Sequence, residues 1–186
     1  MSLHASVVDT LTRWAPDDPA QDSLRHAMMA FVLARPDACL RACEPGHITA
    51  SALVLDHTAT QTLLTLHPRI GRWVQLGGHC EDTDPDIAAA ALREATEESG
   101  IAGLTIDAMP AALHVHALTC SLGVPTRHLD MQFVARAPAS AEIACSDESL
   151  DLRWWSLDAL PDGVDHGLRQ LVGAARRDVQ AQMSVE

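Results

Sequence analysis

A chain of 186 residues with 47% hydrophobic residues is long enough for one domain with a substantial core, so a second domain is not required. Its 13 basic and 25 acidic residues give a net charge of -12, which argues against nonspecific nucleic-acid binding because that binding needs clustered lysine and arginine. The 5 cysteines are irregularly spaced, and no apolar run approaches the roughly 18 residues that span a bilayer, which predicts a soluble cytoplasmic protein with reduced thiols and no membrane contacts.

Residues 1–44 carry helical patterns and form a predicted N-terminal helical extension. Apolar side chains recur at helical spacing over residues 4–14 and again over residues 24–32, and a short third helical pattern covers residues 36–41. We expect this extension to pack on the main domain, residues 45–186, or on a second copy of the chain in a homodimer.

The main domain is predicted to begin with strands, to continue with a helix, and then to repeat that order. The predicted strands are Ile48–Leu55, Gln61–Leu66, Arg72–Leu76, Leu104–Ile106, Ala112–Thr119, His128–Ala135 and Leu152–Trp155. A glycine loop beginning at Gly77 leads into the central helix, and a final helix is predicted over residues 164–179. This order predicts an α/β fold with a mixed sheet between helices.

The central helix carries three glutamates on one arc of its surface. At about 100° per residue, Glu94, Glu97 and Glu98 lie close together, and a separate stripe of small apolar residues is left for packing. Carboxylates three or four residues apart repel each other by roughly a few tenths of a kcal/mol, so the cluster is costly unless a cation neutralises it. Oxygen ligands of this type favour a hard divalent ion, Mg²⁺ or Mn²⁺. An ordinary solvated helix would explain the glutamates but not the glycine pair before it.

This stretch resembles the Nudix box, G-x5-E-x7-R-E-U-x-E-E-x-G-U, in which U is an aliphatic residue. Gly78 matches the first glycine, and the run Arg93–Ile101 matches the C-terminal half of the box. Asp84 stands where the box has its first glutamate, and eight residues rather than seven separate it from Arg93. The candidates for the loop acid that pairs with the box arginine are Glu81, Asp82, Asp84 and Asp86.

The resemblance implies a Nudix-type α/β/α sandwich and an enzyme that hydrolyses a nucleoside diphosphate linked to another group. It assigns Glu97 and Glu98 as metal ligands, and Glu94 as a further ligand or as the group that orients the attacking water. The backbone carbonyl of Gly77 would complete the metal shell. Arg93 would be structural, because its guanidinium can fork across a loop carboxylate and hold the loop on the helix.

Further candidates lie in loops on either side of the box. Nudix enzymes often add an acid from a late loop, and Glu148 is the candidate here, with a solvated turn residue as the alternative. His67, Arg69 and Arg72 come just before the box and are predicted to meet the phosphates of the substrate. His79 lies within the box loop and is assigned the same role.

Two pairs of polar residues, made of three histidines and one aspartate, are not explained by the box. His114 and His116 alternate along one predicted strand, and His128 and Asp130 alternate along the next, so each pair projects from one face. Three interpretations remain open. The four side chains form a second metal site for zinc, manganese or iron, they bind substrate within a polar network, or they are ordinary polar strand residues.

Two other classes with this fold compete with a hydrolase. Isopentenyl diphosphate isomerases have a cysteine immediately before a Gly-His pair, but that position is Gly77 here, and Cys80 follows the pair. A noncatalytic ligand-sensing Nudix domain is expected to lose some of the box glutamates, whereas this chain has all three. Hydrolysis of a small nucleotide-type diphosphate is therefore favoured. No short signature identifies which nucleoside diphosphate derivative is the substrate.

Overall fold

The computed structural model describes residues 1–119, 123, 125–146 and 149–183. In chain order the elements are α1 (Leu3–Arg13), α2 (Pro19–Ala34), β1 (His47–Leu55), β2 (Gln61–His67), β3 (Arg72–Val74), β4 (Leu76–His79), α3 (Ile87–Ser99), β5 (Thr105–Ile106), β6 (Ala112–Thr119), β7 (Pro125–Arg136), β8 (Leu152–Ser156) and α4 (His166–Met183). Within the described part of the chain, every helix is too short or too polar to cross a membrane.

All the strands belong to one mixed sheet, as predicted. Strand β1 pairs with β2 and β4 in antiparallel orientation and with β7 in parallel orientation. Strands β5 and β6 pair with β7, and β3 and β8 pair with β2, all of them antiparallel. The long connection between β1 and β7 includes α3, as a parallel crossover requires.

Helices cover both faces of the sheet, which makes the fold an α/β/α sandwich. On one face, Ile48 and Ala50 of β1 lie in an apolar cluster with Ala91 of α3. On the other face, Leu53 and Leu55 pack in a second cluster with residues of α4. Burial of each large aliphatic side chain contributes about 1.5–3 kcal/mol, so both helices are held by the same central strand.

The N-terminal helices share the first of these clusters. Val7 and Met28 are buried among residues of the sheet and α3. The side chain of Gln21 accepts a hydrogen bond from the Leu113 amide at 2.7 Å and donates one to the Leu113 carbonyl at 3.1 Å. Such bonds are costly to lose in a buried position, so they anchor α2 to strand β6.

The predicted third helix over residues 36–41 is wrong. This segment forms successive turns instead, in which the amides of Ala38, Leu40 and Cys43 each donate to the carbonyl three residues earlier. Six residues are too few to offset the cost of starting a helix without extensive packing. The turns lead the chain directly into β1.

The predicted strand Arg72–Leu76 and the glycine loop after it are also corrected. The chain divides at Gln75 into β3, which pairs with β2, and β4, which pairs with β1. Gly77 and Gly78 therefore lie in a strand. Gly77 has a φ of 148°, and an added Cβ would lie 2.4 Å from the Cβ of Ser51. Only glycine lets β4 pass this close to β1.

Candidate active site

Helix α3 is defined by its ends and by its small residues. The side chain of Asp86 caps the helix by accepting a hydrogen bond from the Ala89 amide at 2.8 Å. Gly100 ends it in the left-handed region with a φ of 68°, a conformation that suits glycine. Ala91 and Ala95 are buried against the sheet, and their small size lets the helix approach strand β4 closely.

Two of the three box glutamates lie against β4. The Gly77 amide donates a hydrogen bond to the Glu98 carboxylate at 3.0 Å. An added Cβ on Gly78 would lie 2.7 Å from Glu94 Oε2, so the absence of a side chain there leaves space for the Glu94 carboxylate. Glu97 is exposed on the same side of the helix. The glycine pair thus places two carboxylates directly on the strand that precedes the helix.

Arg93 holds this arrangement together. Its guanidinium forks across the carboxylate of Asp84, with Nε–Oδ1 at 2.9 Å and Nη2–Oδ2 at 3.1 Å. It also donates to the His79 carbonyl at 3.0 Å, to Glu94 at 3.0 Å and to Glu97 at 3.1 Å. Of the four candidate loop acids, Asp84 is therefore the one that forks with Arg93.

The Asp84–Arg93 pair is largely removed from water. Burial would raise the pKa of Asp84, but hydrogen bonds from Arg93 and from the Glu81 amide, together with the charge of Arg93, outweigh it and hold that pKa below its ordinary value. The hydrogen bond to Asp84 is the main cause that raises the pKa of Arg93. Both groups stay charged near neutral pH, and the pair fixes the loop to α3.

The donor set fits a hard divalent cation. Three carboxylates on one arc of α3 supply oxygen ligands, and the Gly77–Gly78 backbone lies within hydrogen-bond distance of one of them. Mg²⁺ and Mn²⁺ prefer oxygen ligands of this kind. Glu94, Glu97 and Glu98, with the Gly77 carbonyl, are the residues that would hold such an ion.

The face of the sheet that packs against α4 also carries a polar area, which we call the histidine face. It consists of His47, Thr49 and Ser51 of β1, His79 of β4, His114 and His116 of β6, and His128, Asp130 and Gln132 of β7. The strand registers pair His47 with His128, Thr49 with His79, and His114 with Asp130, so all these side chains point to one side. The start of α4 reaches this face, because an added Cβ on Gly167 would lie 2.9 Å from the His114 ring.

Asp130 is engaged in hydrogen bonds within the sheet. It is buried, and its two oxygens accept hydrogen bonds from Thr49 at 2.9 Å and from Ser51 at 2.7 Å. The amides of Gln75 and Gln132 donate to Oδ2 at 3.4 and 3.2 Å. Asp130 thus ties β1 to β7, and the structure groups it with hydroxyls and amides rather than with three converging histidines.

His128 instead lies beside His47 and His79. The ring centroids are 4.9 Å apart for His47 and His128, 5.1 Å for His47 and His79, and 5.0 Å for His79 and His128. His116 follows at 5.2 Å from His128, and His114 stacks on His116 at 5.4 Å. His47 was absent from the candidates that sequence reasoning produced, although the alternation of His47, Thr49 and Ser51 marks a polar face on β1.

The three histidines are neutral near pH 7. Burial is the main cause that lowers the pKa of His79 to about 4 and that of His128 to about 3, and it also lowers the pKa of His47. The positive charge of Arg41 acts in the same direction on all three residues. Neutral imidazoles keep a lone pair on one ring nitrogen.

These pKa values predict a loss of stability in mild acid. Between pH 6.5 and 4 the unfolded chain binds protons that the folded His79 and His128 do not, so the free energy of unfolding falls as the pH falls. Allowing for partial exposure, we expect a loss of about 2 kcal/mol between pH 7 and pH 5, measured by urea unfolding in EDTA.

The matched variants for this prediction are His128→Gln and His57→Gln. His128→Gln should reduce the loss, whereas His57→Gln, at an exposed position in the turn after β1, should leave it unchanged. An equal loss in the wild type and in His128→Gln would show that other groups cause it.

The remaining predicted residues are placed around the β2–β3 turn. His67 and Arg72 face each other in the ladder between these strands, and the ring of His67 accepts a hydrogen bond from the Arg69 amide at 3.2 Å. Arg69 and Arg72 are exposed. Burial is the main cause that lowers the pKa of His79, and the charge of Arg69 contributes to it. Glu148 lies outside the described residues.

Cys80 projects to the opposite side from His79. Its thiol donates to the Ile48 carbonyl at 3.8 Å, and it packs against the apolar cluster around α3. Burial raises the pKa of this thiol, so it is not an activated nucleophile. The position therefore does not replace the cysteine of an isomerase.

Comparisons with known proteins show the family and the fold of the chain. A family model described as NUDIX domain matches residues 45–175. The fold is similar to that of a C. elegans Ap4A hydrolase in a binary complex, with a TM-score of 0.55 and 18% identity over 72% of this chain and 98% of that chain. It is also similar to a NUDIX family hydrolase from Clostridium perfringens, with a TM-score of 0.54 and 23% identity over 70% and 97% of the two chains.

A third similar structure extends over the N-terminal helices as well. A UDP-X diphosphatase matches with a TM-score of 0.52 and 14% identity, covering 95% of this chain and 91% of that chain. No curated protein sequence matches significantly. At these low identities the solved structures establish only the fold. The family is established by the family model, which matches residues 45–175.

Proposed function

Because the chain belongs to the NUDIX domain family and is thus a hydrolase of phosphoric anhydride bonds, we propose that it cleaves a nucleoside diphosphate linked to another moiety in a reaction dependent on Mg²⁺ or Mn²⁺. The observation that carries this proposal is the placement of Glu94 and Glu98 against the Gly77–Gly78 backbone, with Arg93 held by Asp84. These contacts bring the acidic groups and the backbone of the box to one place.

Each box residue has a distinct task in this proposal. Glu97 and Glu98, with the Gly77 carbonyl, hold the divalent ion, which when bound neutralises charge on the phosphate oxygens. Glu94, half-buried beside Gly78, is a further ligand or orients the attacking water by accepting a hydrogen bond from it. Arg93 keeps the loop and the helix in register, as its bonds to the loop support.

The substrate is proposed to extend from the carboxylates, on the α3 side of β4, to the histidine face on the other side of the sheet. His67, Arg69 and Arg72 would supply positive charge and hydrogen bonds for its phosphates, and His114 and His116 would contact its polar groups. His79, His128 and Asp130, which the sequence also assigns to substrate binding, line the inner part of the same face. Glu148 remains a proposed additional acid. The names of two similar proteins, Ap4A hydrolase and UDP-X diphosphatase, specify nucleotide substrates and support testing this class first.

The N-terminal helices are proposed to act as an extension of the hydrolase domain rather than as an independent unit. The family match begins at residue 45, while Gln21 and Ser6 hydrogen-bond to the backbone of β6 and of α3. The described cysteines Cys39, Cys43, Cys80 and Cys145 are free thiols, which supports a cytoplasmic location. We also propose that the chain forms a homodimer.

The proposal is tested by incubating the full-length chain with a panel of nucleoside diphosphate derivatives and either Mg²⁺ or Mn²⁺. Products are treated with phosphatase, and the released phosphate is measured. We expect one compound class to yield two phosphomonoester products, with turnover that EDTA abolishes. Turnover that persists in EDTA would contradict the metal dependence, and cleavage confined to phosphomonoesters would contradict the anhydride specificity.

A further inference from the structure

We propose that His47, His79 and His128 form a binding site for a transition-metal ion of the zinc class, separate from the carboxylates of α3. One ring nitrogen of each residue converges, and no two of these atoms are more than 4.8 Å apart. The three residues come from the neighbouring strands β4, β1 and β7, so the sheet holds them in a fixed arrangement. A tetrahedral zinc ion with Zn–N distances of about 2.0–2.1 Å would draw the three nitrogens closer together than they are here.

Two of these histidines have a ring nitrogen without a protein partner. Nε2 of His47 and Nε2 of His128 are buried and accept or donate no hydrogen bond within the described structure. Buried polar atoms are nearly always paired, so two unpaired ones on neighbouring histidines of the cluster indicate a missing ligand.

The tautomer of His47 agrees with metal binding. Its Nδ1 lies 3.4 Å from the Cys43 carbonyl, a contact that only an Nδ1–H can make as a donor. Nε2 is then the nitrogen with the lone pair. Histidine ligands of metals commonly donate their second ring N–H to a backbone carbonyl in this way.

The charges around the cluster act in opposite directions. Arg41 lies close enough to lower the pKa of all three histidines, and its charge opposes a cation. Asp130 and His79 both pair with Thr49, from opposite sides of β1, and Asp130 is two residues from His128, so its negative charge favours a cation at the cluster. Three neutral imidazoles select zinc-class ions over Mg²⁺, which sets this site apart from the carboxylates of α3.

Three histidines leave a fourth position on such an ion. Zinc sites with three protein ligands usually keep that position for water or for a substrate atom. His116 lies on the outer side of the cluster, with its ring 5.2 Å from that of His128, toward the exposed end of β6. An ion at this site would thus be reached from the same side as the proposed substrate.

The test uses Co²⁺ as a spectroscopic substitute for Zn²⁺. The full-length chain is treated with EDTA, dialysed, and titrated with Co²⁺ while its visible absorption is recorded. We expect about one equivalent to give the intense bands of a tetrahedral or five-coordinate site, and Zn²⁺ to displace it. His128→Gln and His79→Gln should each weaken Co²⁺ binding at least tenfold.

Two control variants locate the ion. Glu98→Gln should keep the Co²⁺ spectrum, because it changes only the carboxylate site, and His57→Gln should keep it because that residue is exposed and distant in the fold. Circular dichroism verifies that each variant is folded, and two independent histidine variants guard against one that is not. Loss of the spectrum in Glu98→Gln with retention in both histidine variants would overturn the proposal. An absence of tight Co²⁺ binding to the wild type would do the same.

Discussion

Replacing Glu98 by glutamine is expected to reduce turnover at least about a hundredfold, or about 2.7 kcal/mol in the activation barrier, with little change in folding. Glutamine has nearly the same shape, and its side-chain oxygen can still accept the hydrogen bond that the Gly77 amide donates to Glu98. What it lacks is the negative charge that holds a divalent cation. The effect therefore reports on the charge of the site rather than on its packing.

The measurement is kcat and KM at several concentrations of Mg²⁺ for the best substrate of the panel, together with the melting temperature. Glu142→Gln is the matched control, because Glu142 is an exposed glutamate outside the box and its loss changes the net charge equally. We expect this control to retain full activity. A Glu98→Gln enzyme that keeps more than about a tenth of wild-type turnover would remove Glu98 from the metal site.

The local part of this site was predictable because its residues are neighbours along one helix. Helical periodicity alone puts Glu94, Glu97 and Glu98 on one arc, and Gly100 marks the helix end that the structure shows. The strands at either end of the box were also predicted, with errors at their boundaries. Spacing within one element is therefore enough to predict which of its side chains lie close together.

The loop acid could not be predicted, because loop conformation rather than spacing selects it. The Asp84 carboxylate accepts a hydrogen bond from the Glu81 amide at 2.7 Å. This bond closes a tight turn that orients the carboxylate toward Arg93. Asp86 is used as the cap of α3 instead. With one residue more than the box pattern, the sequence allowed several acids to reach the same arginine.

The histidine cluster could not be predicted from the sequence. His47 and His128 become neighbours only through the parallel register of β1 and β7, and His79 joins them only because Gly77 brings β4 against β1. Contacts between strands far apart in the chain have no spacing rule that a single sequence reveals. Sequence reasoning found the histidines on β6 and β7, whose hairpin is local, and missed His47.

Arg93→Ala is expected to lower the free energy of unfolding by about 2–4 kcal/mol and to reduce activity as well. The change leaves the buried carboxylate of Asp84 without its charged partner, and breaking a buried pair on one side costs about 3–5 kcal/mol before allowance for the partial exposure of Arg93. It also removes the bond to the His79 carbonyl, which is one of the contacts that hold β4 on α3.

The control is Arg176→Ala, which breaks the exposed ion pair with Asp158. Exposed pairs contribute at most about 1 kcal/mol, so this variant should melt within a few degrees of the wild type. An Arg93→Ala protein that is inactive but unchanged in stability would place Arg93 on the substrate instead.

The pH dependence of the Arg93→Ala effect identifies its cause. The pKa of Asp84 is lowered in the folded state, so its pairing contributes stability above the unfolded pKa of about 3.9 and loses it as the pH falls through the folded value. The difference between wild type and Arg93→Ala should therefore be full at pH 7 and shrink below pH 4. Combining Arg93→Ala with Asp84→Asn should cost less than the sum of the single changes, because the double variant leaves no buried charge unpaired. Additive losses would mean that Arg93 stabilises the fold through its other contacts, to the His79 carbonyl and the helix glutamates, rather than through Asp84.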